Sequence, residues 1–514
     1  MSEPLPAELR PEHGQPRSLA AAARIAGVAD IRPGWDRVVL SGLVHDSRRI
    51  RPGDLYAALP GSNTHGAIHG GSAVAAGAVA ILTDPEGGRI LQALGPQVPV
   101  LIVPRPRAVL GPLAAWLYDQ PGQALLLLGV TGTAGKTTTT YLLESGLRAA
   151  GHRTGLIGTV QTRIADQTVT SAFTTPEAPD LQALLALMRE RGTTAVAMEV
   201  SSHALAYGRV AGTTFDVALF TNLSQDHLDF HGDMAEYFAA KALLFTTDYA
   251  GQGVVNIDDG YGRRLTEIAT VPLVTYSASG AAGADWRADR VRLGPDGSTF
   301  EVTGPAGRAE VAIRLPGPFN VANALGAIAS LVGADVSLDA AVAGVTEVTG
   351  TPGRMERVEA GQDFLAIVDY AHKPGSLEAV LGAVREVTKG RIIVVVGCGG
   401  DRDRGKRPIM GRIAAGAADV AVLTNDNPRS EDPLSIIAAM RSGAEQVPAG
   451  ERAELIVEPD RAAAIALAVD RAAAGDAVVV AGKGHEQGQE TAGVVRPFDD
   501  RAVLRAAIDA EAPA

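Results

Sequence analysis

The stretch "ALLLLGVTGTAGKTTTT" (124–140) joins an apolar run to a Gly-rich loop and a polar continuation. The apolar run predicts a buried strand, and the residues from Lys136 onward predict a helix. The common GxxxxGK[ST] pattern requires glycine at 130, where this chain has Val130, so the match is to a shorter form that ends at Thr137. Such glycines let backbone N–H groups approach phosphates, and the helix N-terminus adds positive potential. The stretch therefore predicts a strand–loop–helix site for ATP.

Each side chain of this loop has an expected role. Lys136 would reach the outer phosphates, and the Thr137 hydroxyl would bind Mg²⁺. The alternative, a plain Gly-rich turn, is disfavoured by the complete strand–loop–helix context. The residues predicted to bind ATP here are Gly132, Thr133, Ala134, Gly135, Lys136, Thr137 and Thr138.

The composition is typical of a large α/β enzyme. A chain of 514 residues is too long for one core, and its length suggests about three domains. The formal charge of −12 argues against a general nucleic-acid or anionic-membrane surface, so local donors must hold any phosphate ligand. Cys398 is the only cysteine, which excludes an intramolecular disulfide and argues against a cysteine-based metal site.

Hydropathy and the N-terminal sequence indicate where in the cell the protein is expected. No run of about 20 apolar residues is present, so no membrane insertion is predicted. Residues 1–17 are polar and proline-rich, without the apolar region of a signal peptide, and are predicted to be a disordered leader. We expect a cytoplasmic, monomeric enzyme.

The strand and helix patterns predict an α/β fold with three domains, at 18–122, 123–350 and 351–514. The first is a small α/β unit. The second has continuous apolar strands that alternate with helices, which indicates a parallel sheet covered on both faces, followed by a hairpin-like pattern around 296–317. The third is Rossmann-like, with four strands that each end in a polar or Gly-rich loop. Ligands gather at such carboxyl ends in open α/β sheets.

Two polar loops of the central domain carry candidate metal ligands. Glu199 ends the apolar run of "AMEVSSHAL" (197–205), and His227 lies in "TNLSQDHLDFHGDM" (221–234). A lone glutamate or histidine is more often structural, but both loops leave the same predicted sheet. We expect the two side chains to bind Mg²⁺. Lys241 follows in an amphipathic helix, where an ordinary solvated lysine is the alternative.

The segment "VAVLTNDNPRSEDP" (420–433) is a strand that ends in polar residues. A turn explains its asparagines, aspartate and proline. Arg429 is less expected in a plain turn, because its planar fork suits bidentate recognition of a carboxylate. The residues alone leave a turn and a carboxylate site both open.

Taken together, the motifs resemble the Mur ligase family. The likeness rests on "TGTAGKTT", "EVSSHAL", "TNLSQDHLDFHGDM", "FNVANALGA", "PGRME", "DYAHKP", "GCGGDRDRGKRP", "DNPR" and "GKGHE", which occur in the family's order from about 40 to 500. It is greatest to the type that adds 2,6-diaminopimelate. The resemblance implies domains for a UDP sugar, ATP and an amino acid. It also implies that ATP activates the D-glutamyl γ-carboxyl of UDP-MurNAc-L-Ala-D-Glu as an acyl phosphate, which the amine of meso-diaminopimelate then attacks.

The resemblance further assigns roles to residues. Lys136, Glu199, His227 and Lys241 would be catalytic, with Thr137, Glu199, His227 and a carbamylated Lys241 at the Mg²⁺ ions. Asn320, Asn323, Arg354 and Asp369 would complete the ATP site. The UDP-MurNAc-dipeptide would contact Ser47, Ser62, Asn63, Thr64, Thr174, Thr175, Ser201 and Arg209. Diaminopimelate would contact Arg402, Asp426, Asn427, Pro428, Arg429, Gly482 and Glu486. The roles of Tyr207, where many members have glutamine, and of His372 stay open.

Three alternatives compete with this interpretation. A lysine-adding member typically lacks the arginine of "DNPR", because lysine has no distal carboxylate to pair with it. A relative of folylpolyglutamate synthase is disfavoured by the N-terminal motifs "HDSR" (45–48) and "GSNTHG" (61–66). A P-loop nucleotide switch would turn over ATP without a carboxylate and an amine.

Overall fold

Three main sheets with helices packed on their faces organise the chain. The computed structural model describes residues 9–61, 63–95, 97–169 and 173–511, and all structural statements refer to these residues. The α/β fold class predicted from the sequence is confirmed. The domain limits after 122 and 350 stay predictions.

The N-terminal sheet has four parallel strands that follow one another in chain order. Its strands are Gly42–Val44, Asp54–Ala58, Ala80–Thr83 and Val100–Ile102. Its α-helices are Leu19–Ile25, Gly70–Ala75, Pro85–Leu94 and Pro106–Leu117, with short 3₁₀ turns at Ser47–Arg49 and Gly66–His69.

Residues 9–17 differ from the disordered leader predicted for 1–17. Leu9 is buried in an apolar cluster of the central domain. Arg10 Nη1 donates to the buried Asp54 carboxylate at 2.8 Å, and Arg17–Ser18 pairs with the strand Val39–Leu40. The prediction of disorder is therefore wrong for 9–17, because the partners of these polar residues lie far along the chain. Residues 1–8 lie outside the described ranges.

The central sheet has eleven strands and positions the phosphate loop. Its middle is parallel and its two ends are antiparallel, which confirms the hairpin predicted around 296–317. In spatial order the strands are Gln167–Val169, Thr162–Ile164, Thr154–Ile157, Ala195–Glu199, Leu126–Thr131, Phe215–Phe220, Ala250–Asn256, Leu273–Ser277, Trp286–Gly294, Gly297–Gly304 and Gly307–Ile313. The strand before the phosphate loop thus lies between the strands that precede the two candidate metal loops.

Helices cover both faces of this sheet and bury a separate apolar cluster on each. Lys136–Ala149 packs against Pro318–Gly333 and Leu338–Glu347. The remaining α-helices are Ala178–Glu190, Ser202–Ala206, Leu228–His231, Met234–Ala242 and Gly260–Ile268, with 3₁₀ turns at Pro121–Ala124 and Leu243–Phe245.

The C-terminal sheet has six strands, all parallel except the first. In spatial order they are Glu356–Arg357, Leu365–Asp369, Ala477–Ala481, Ile392–Val396, Val420–Leu423 and Glu454–Val457. The helices are Pro374–Val387, Lys406–Ala417, Pro433–Ala444, Arg461–Asp470 and Asp500–Glu511, and a hairpin pairs Gly488–Thr491 with Val494–Pro497. None of the helices described in the chain has the length and apolarity that crossing a bilayer requires.

Candidate active site

The phosphate loop depends on two glycines with positive φ. At Gly132 φ is 152°, and a Cβ would lie 1.9 Å from Thr221 Oγ1. At Gly135, which caps the helix Lys136–Ala149, φ is 87° and a Cβ would lie 2.4 Å from Asn323 Oδ1. Any side chain would therefore push the loop away from its neighbours, so these positions favour glycine.

Two lysines meet at the carbonyl of Gly132. Lys136 Nζ donates to it at 2.9 Å and Lys241 Nζ at 2.8 Å. Burial, with the positive charge of Lys373, lowers the pKa of Lys136 to about 8, and burial lowers the pKa of Lys241 well below its ordinary value. Lys241 is only 1% exposed. The alternative of an ordinary solvated lysine at 241 is therefore wrong.

Glu199 is held at the end of its strand by a network of threonines. Its carboxylate accepts from Thr159 N at 2.8 Å and from Thr159 Oγ1 at 3.0 Å, and Thr174 Oγ1 lies 3.0 Å from that hydroxyl. Thr175 Oγ1 donates to the Glu199 carbonyl at 2.8 Å and accepts from Ser201 N at 3.1 Å. The structure thus brings three predicted substrate contacts next to a predicted metal ligand.

His227 has a left-handed backbone, with φ 54°, and is paired with its neighbour Asp226. His227 Nε2 lies 2.9 Å from Asp226 Oδ2, and Lys373 of the C-terminal domain forms an ion pair with the same oxygen. Burial lowers the pKa of His227. Burial alone would raise the pKa of Asp226, but Lys373 and His227 hold it well below its usual range. A neutral imidazole suits metal binding.

A cavity of about 210 Å³ collects most of the predicted catalytic residues. His372 also lines it; its Nδ1 lies 2.7 Å from the Tyr370 carbonyl, and burial lowers its pKa well below the ordinary value. The predicted residues in the lining are Thr133, Ala134, Gly135, Lys136, Thr137, Thr138, Thr174, Glu199, Ser201, His227 and Arg354.

A larger cavity of about 610 Å³ adjoins the same loop. Its lining includes the four predicted nucleotide contacts outside the loop: Asn320, Asn323, Arg354 and Asp369. Arg354 Nη2 donates to Thr137 Oγ1 at 3.2 Å, so the C-terminal domain reaches the phosphate loop. Burial raises the pKa of Asp369, whose carboxylate accepts from Met355 N at 2.7 Å.

The residues predicted to contact the UDP sugar are more dispersed. Ser47 begins a 3₁₀ turn, and Asn63 and Thr64 are exposed. Among the described residues, these three line neither cavity. Ser62 lies outside the described residues.

Arg209, predicted to contact the dipeptide, is held close to the cavity wall. It donates to the Thr175 carbonyl at 3.2 Å and pairs with Glu177 at 2.9 Å. The ring centroid of Tyr207 lies 5.3 Å from the guanidinium of Arg107 and 5.7 Å from that of Arg209. Both distances are within the range of a cation–π contact.

Loops 424–429 and 482–486 contain six of the predicted diaminopimelate contacts. Asn427 Nδ2 donates to Glu486 Oε2 at 2.9 Å, and the buried Lys483 Nζ lies 3.0 Å from both side chains. A Cβ on Gly482, whose φ is 119°, would lie 2.7 Å from Asp426 Oδ2. The two loops are therefore in direct contact.

Arg429 lies at the edge of this cluster in a left-handed conformation, with φ 52°. Its Nη1 donates to the Gly400 carbonyl at 2.7 Å, and its Nε lies 3.7 Å from Glu490 Oε2. Arg402 is exposed nearby and donates to the Asp401 carbonyl at 3.1 Å. The buried Pro428 precedes Arg429 and restricts the backbone of the turn.

Several residues of the candidate site were not identified from the sequence. Asn222 accepts hydrogen bonds from Thr133 N and Ala134 N of the phosphate loop. The Tyr370 ring lies 4.5 Å from the Arg354 guanidinium, and burial and Glu486 raise its pKa. Tyr370 and Lys373 belong to the motif "DYAHKP", which was the available signal, but their partners come from distant parts of the chain.

A phosphate loop beside the buried Glu199 carboxylate and the partly exposed His227 imidazole, contacted by Arg354 and Lys373 of the C-terminal domain, suits an ATP-dependent ligase. Three family models match in chain order: "Mur ligase family, catalytic domain" at 39–118, "Mur ligase middle domain" at 130–331 and "Mur ligase, glutamate ligase domain" at 353–484.

Similar proteins agree with this class. A UDP-N-acetylmuramoyl-L-alanyl-D-glutamate–2,6-diaminopimelate ligase of Streptomyces coelicolor is 60% identical over 91% of this chain and 92% of its own. A solved structure of a ligase with the same name is 33% identical, with a TM-score of 0.68, over 97% of this chain and 99% of that one. The MurF ligase of Thermotoga maritima in complex with ADP, 17% identical, shares the fold over 91% and 96% of the two chains, with a TM-score of 0.63.

The chain belongs to the Mur ligase family. It is an ATP-dependent ligase that forms a peptide bond in the synthesis of peptidoglycan precursors.

Proposed function

We propose that this enzyme joins meso-2,6-diaminopimelate to the D-glutamyl γ-carboxyl of UDP-MurNAc-L-Ala-D-Glu. The name of the Streptomyces coelicolor relative supports the choice of substrates. The observation that carries it is the position of Arg429, whose guanidinium contacts Gly400 and Glu490, while the Glu490 N–H donates to Asn427 of the loop cluster. A guanidinium there suits the distal carboxylate that diaminopimelate has and lysine lacks.

The incoming amino acid also needs a group that receives its ammonium. Glu486 suits this role, because its carboxylate is partly exposed and is oriented by Asn427 and Lys483. With lysine the Arg429 guanidinium would keep only its 3.7 Å contact with Glu490 and its bond to the Gly400 carbonyl. A substrate that lacks the distal carboxylate therefore forgoes a charge-assisted contact that diaminopimelate makes, which discriminates against lysine.

In the first step the γ-carboxylate takes the terminal phosphoryl group of ATP, which gives an acyl phosphate and ADP. The amine of the incoming amino acid then attacks the acyl carbon, forms the amide bond and displaces phosphate. Lys136 and the helix N-terminus behind it stabilise negative charge on the transferred group. Arg354 brings a second positive charge from the C-terminal domain to the same loop. The two cationic groups act on the phosphoryl oxygens, while closure of the domains excludes water.

The donors in the smaller cavity fit Mg²⁺. A hydroxyl from Thr137, a carboxylate from Glu199 and an imidazole from His227 line one space. Mg²⁺ normally keeps several waters and substrate oxygens, so it needs few protein ligands.

Lys241 would serve as a carbamate. Carbamylation requires a neutral amine to attack CO₂, and the lowered pKa of Lys241 favours that form. The product would place an anionic group next to Gly132 and the phosphate loop, where it would position a second Mg²⁺.

Phosphate release and product formation test the proposal. Purified enzyme is given ATP with UDP-MurNAc-L-Ala-D-Glu and, in turn, meso-diaminopimelate, L-lysine or L-ornithine. Product is expected mainly with diaminopimelate, and phosphate release is expected to require both co-substrates. Equal use of L-lysine would contradict the proposed substrate, and release without either co-substrate would favour a nucleotide switch. The cytoplasmic location and the monomeric state stay predictions.

A further inference from the structure

A fully buried ion pair lies behind the predicted amino-acid pocket. Arg461 and Asp500 each begin a C-terminal helix, and both side chains are 0% exposed. Arg461 Nε and Nη2 donate to the two carboxylate oxygens of Asp500 at 2.7 Å each. Burying two charges is costly and an apolar pair often gives equal stability, so stability alone does not explain this pair.

The guanidinium of Arg461 also donates to two backbone carbonyls. Nη1 lies 3.3 Å from the Asn425 carbonyl, and Nη2 lies 3.0 Å from the Ala481 carbonyl. Each of these residues directly precedes a residue of the predicted pocket. Asn425 follows the strand Val420–Leu423, and Ala481 ends the strand Ala477–Ala481. These two strands are not neighbours, because Ile392–Val396 lies between them. One side chain therefore spans an intervening strand and links the two loops.

The spacing of the two loops matters because their side chains contact each other directly. Asn427 and Glu486 share the ammonium of Lys483, and a Cβ on Gly482 would meet Asp426. Burial alone would lower the pKa of Arg461, but Asp500, Asp426 and Glu486 raise it. The cation thus acts on both carboxylates of the pocket as well as on its backbone.

We propose that Arg461, clamped by Asp500, is a positioning residue that fixes the spacing of loops 424–429 and 482–486 and so the selection of diaminopimelate. The inference rests on the proposed function, because it requires these loops to bind the incoming amino acid. Arg461 is buried and acts through the two carbonyls. Its loss should change amino-acid recognition and leave the phosphate loop unaffected.

The test changes both partners together, since removing one would leave an unpaired buried charge. In R461M/D500N the KM for meso-diaminopimelate is expected to rise about tenfold or more, with the KM values of ATP and the UDP substrate within about twofold of wild type. The preference for diaminopimelate over L-lysine is expected to fall. The control R391M/D476N makes the same changes in an Arg–Asp pair at the amino-terminal edge of the same sheet, and should retain wild-type KM values.

Arg461→Lys provides a second test that keeps a charge beside Asp500. A lysine ammonium cannot reach both carbonyls with the geometry of a planar fork. We expect Arg461→Lys to raise the KM for diaminopimelate and to leave the other KM values unchanged. If the double variant does not fold, Arg461→Lys is the variant that tests the positioning role. Wild-type KM values in the folded variants, with wild-type enzyme active on diaminopimelate, would overturn the positioning role alone. A wild-type enzyme that ligates no diaminopimelate would overturn the proposed function, and with it this role.

Discussion

The left-handed backbone at Arg429 costs about 1 kcal/mol for a residue with a Cβ, so neighbouring contacts must impose it. Arg429 N donates to the Glu490 carbonyl at 3.1 Å, and Ala492 N donates to the Arg429 carbonyl at 2.6 Å. The hairpin that begins at Gly488 thus holds the arginine in place. Proline at 428 explains the preceding turn, but the conformation of Arg429 itself follows from this tertiary contact.

Arg429→Ala should raise the KM for diaminopimelate by on the order of 100-fold, because the distal carboxylate would lose its charged partner. The KM values of ATP and the UDP substrate should stay within about twofold, since neither ligand is expected at this loop. Steady-state kinetics with each substrate varied in turn measures this. Arg441→Ala, at an exposed arginine of a nearby helix, is the control. Equal losses for all three substrates would contradict the specificity role.

Lys241→Ala should reduce kcat by about 100-fold or more, because the loop would lose the group expected to position a metal ion. Added formate or acetate should restore part of the activity by supplying a carboxylate in the space left behind. The control variant Lys389→Ala, at an exposed lysine, should keep the wild-type kcat and should show no response to formate or acetate. Absence of any rescue in a folded Lys241→Ala enzyme would leave the carbamate without support.

At the scale of elements, the loop that follows Ala477–Ala481 combines a buried lysine with a histidine of unusual pKa. Burial, reinforced by Arg354 and Arg501, lowers the pKa of His485 to about 4. Between this value and about 6.5 the unfolded chain binds more protons than the folded one, so the contribution of His485 to stability falls as the pH drops through this window.

His485→Gln should therefore lose less thermal stability than wild type when the pH falls from about 6.5 to 4. Melting temperatures measured across this range by calorimetry give the difference directly. His69→Gln, at an exposed histidine, should follow the wild-type curve. Parallel curves for His485→Gln and wild type would show that the two states bind protons equally at this site.

The segment 9–18 is a second element, and the ion pair between Arg10 and Asp54 is one of the contacts that hold it. Arg10→Ala would leave the buried carboxylate of Asp54 without its cation, and should cost about 3 kcal/mol of unfolding free energy. Urea unfolding followed by fluorescence measures this. Arg32→Ala removes an exposed arginine from a 4.0 Å surface pair and should change stability little. If Arg10→Ala lowered the unfolding free energy as little as Arg32→Ala, the ion pair with Asp54 would not be what holds this segment.

At the scale of the whole molecule, Lys373 joins the C-terminal domain to the catalytic loop of the central one. Its ion pair with Asp226 is adjacent to His227 and lies close to the contact of Arg354 with Thr137. Domain closure and the arrangement of the catalytic loop are thereby linked through one cation.

Lys373→Met should lower kcat/KM by about tenfold for every substrate, because closure would lose a charged contact at the site of phosphoryl transfer. Small-angle scattering of the unliganded enzyme should also show a larger radius of gyration. Lys389→Met, in the same domain but exposed, serves as the control. A defect confined to diaminopimelate would place Lys373 at the amino-acid pocket instead.

The fold and much of the candidate site could be predicted because their signals are local. The phosphate loop needs glycines directly before a helix, and buried parallel strands need continuous apolar runs. The structure gathers most predicted catalytic and nucleotide residues around two adjoining cavities. The roles assigned to those residues stay predictions.

Other features depended on contacts between distant segments. The ordering of residues 9–17, the burial of Lys241, the Lys373–Asp226 link and the Arg461–Asp500 pair each require a partner that local sequence does not name.

The sequence by itself determined the α/β class, the nucleotide loop and the order of the motifs, because backbone preference and apolar periodicity act over a few residues. Only the tertiary structure decided which charges are buried and paired, because burial depends on how separate segments pack against one another. The loop of Arg429 shows both: Asn427 and Pro428 predict its turn, while the hairpin 488–497 and the Arg461 guanidinium behind Asn425 set its position.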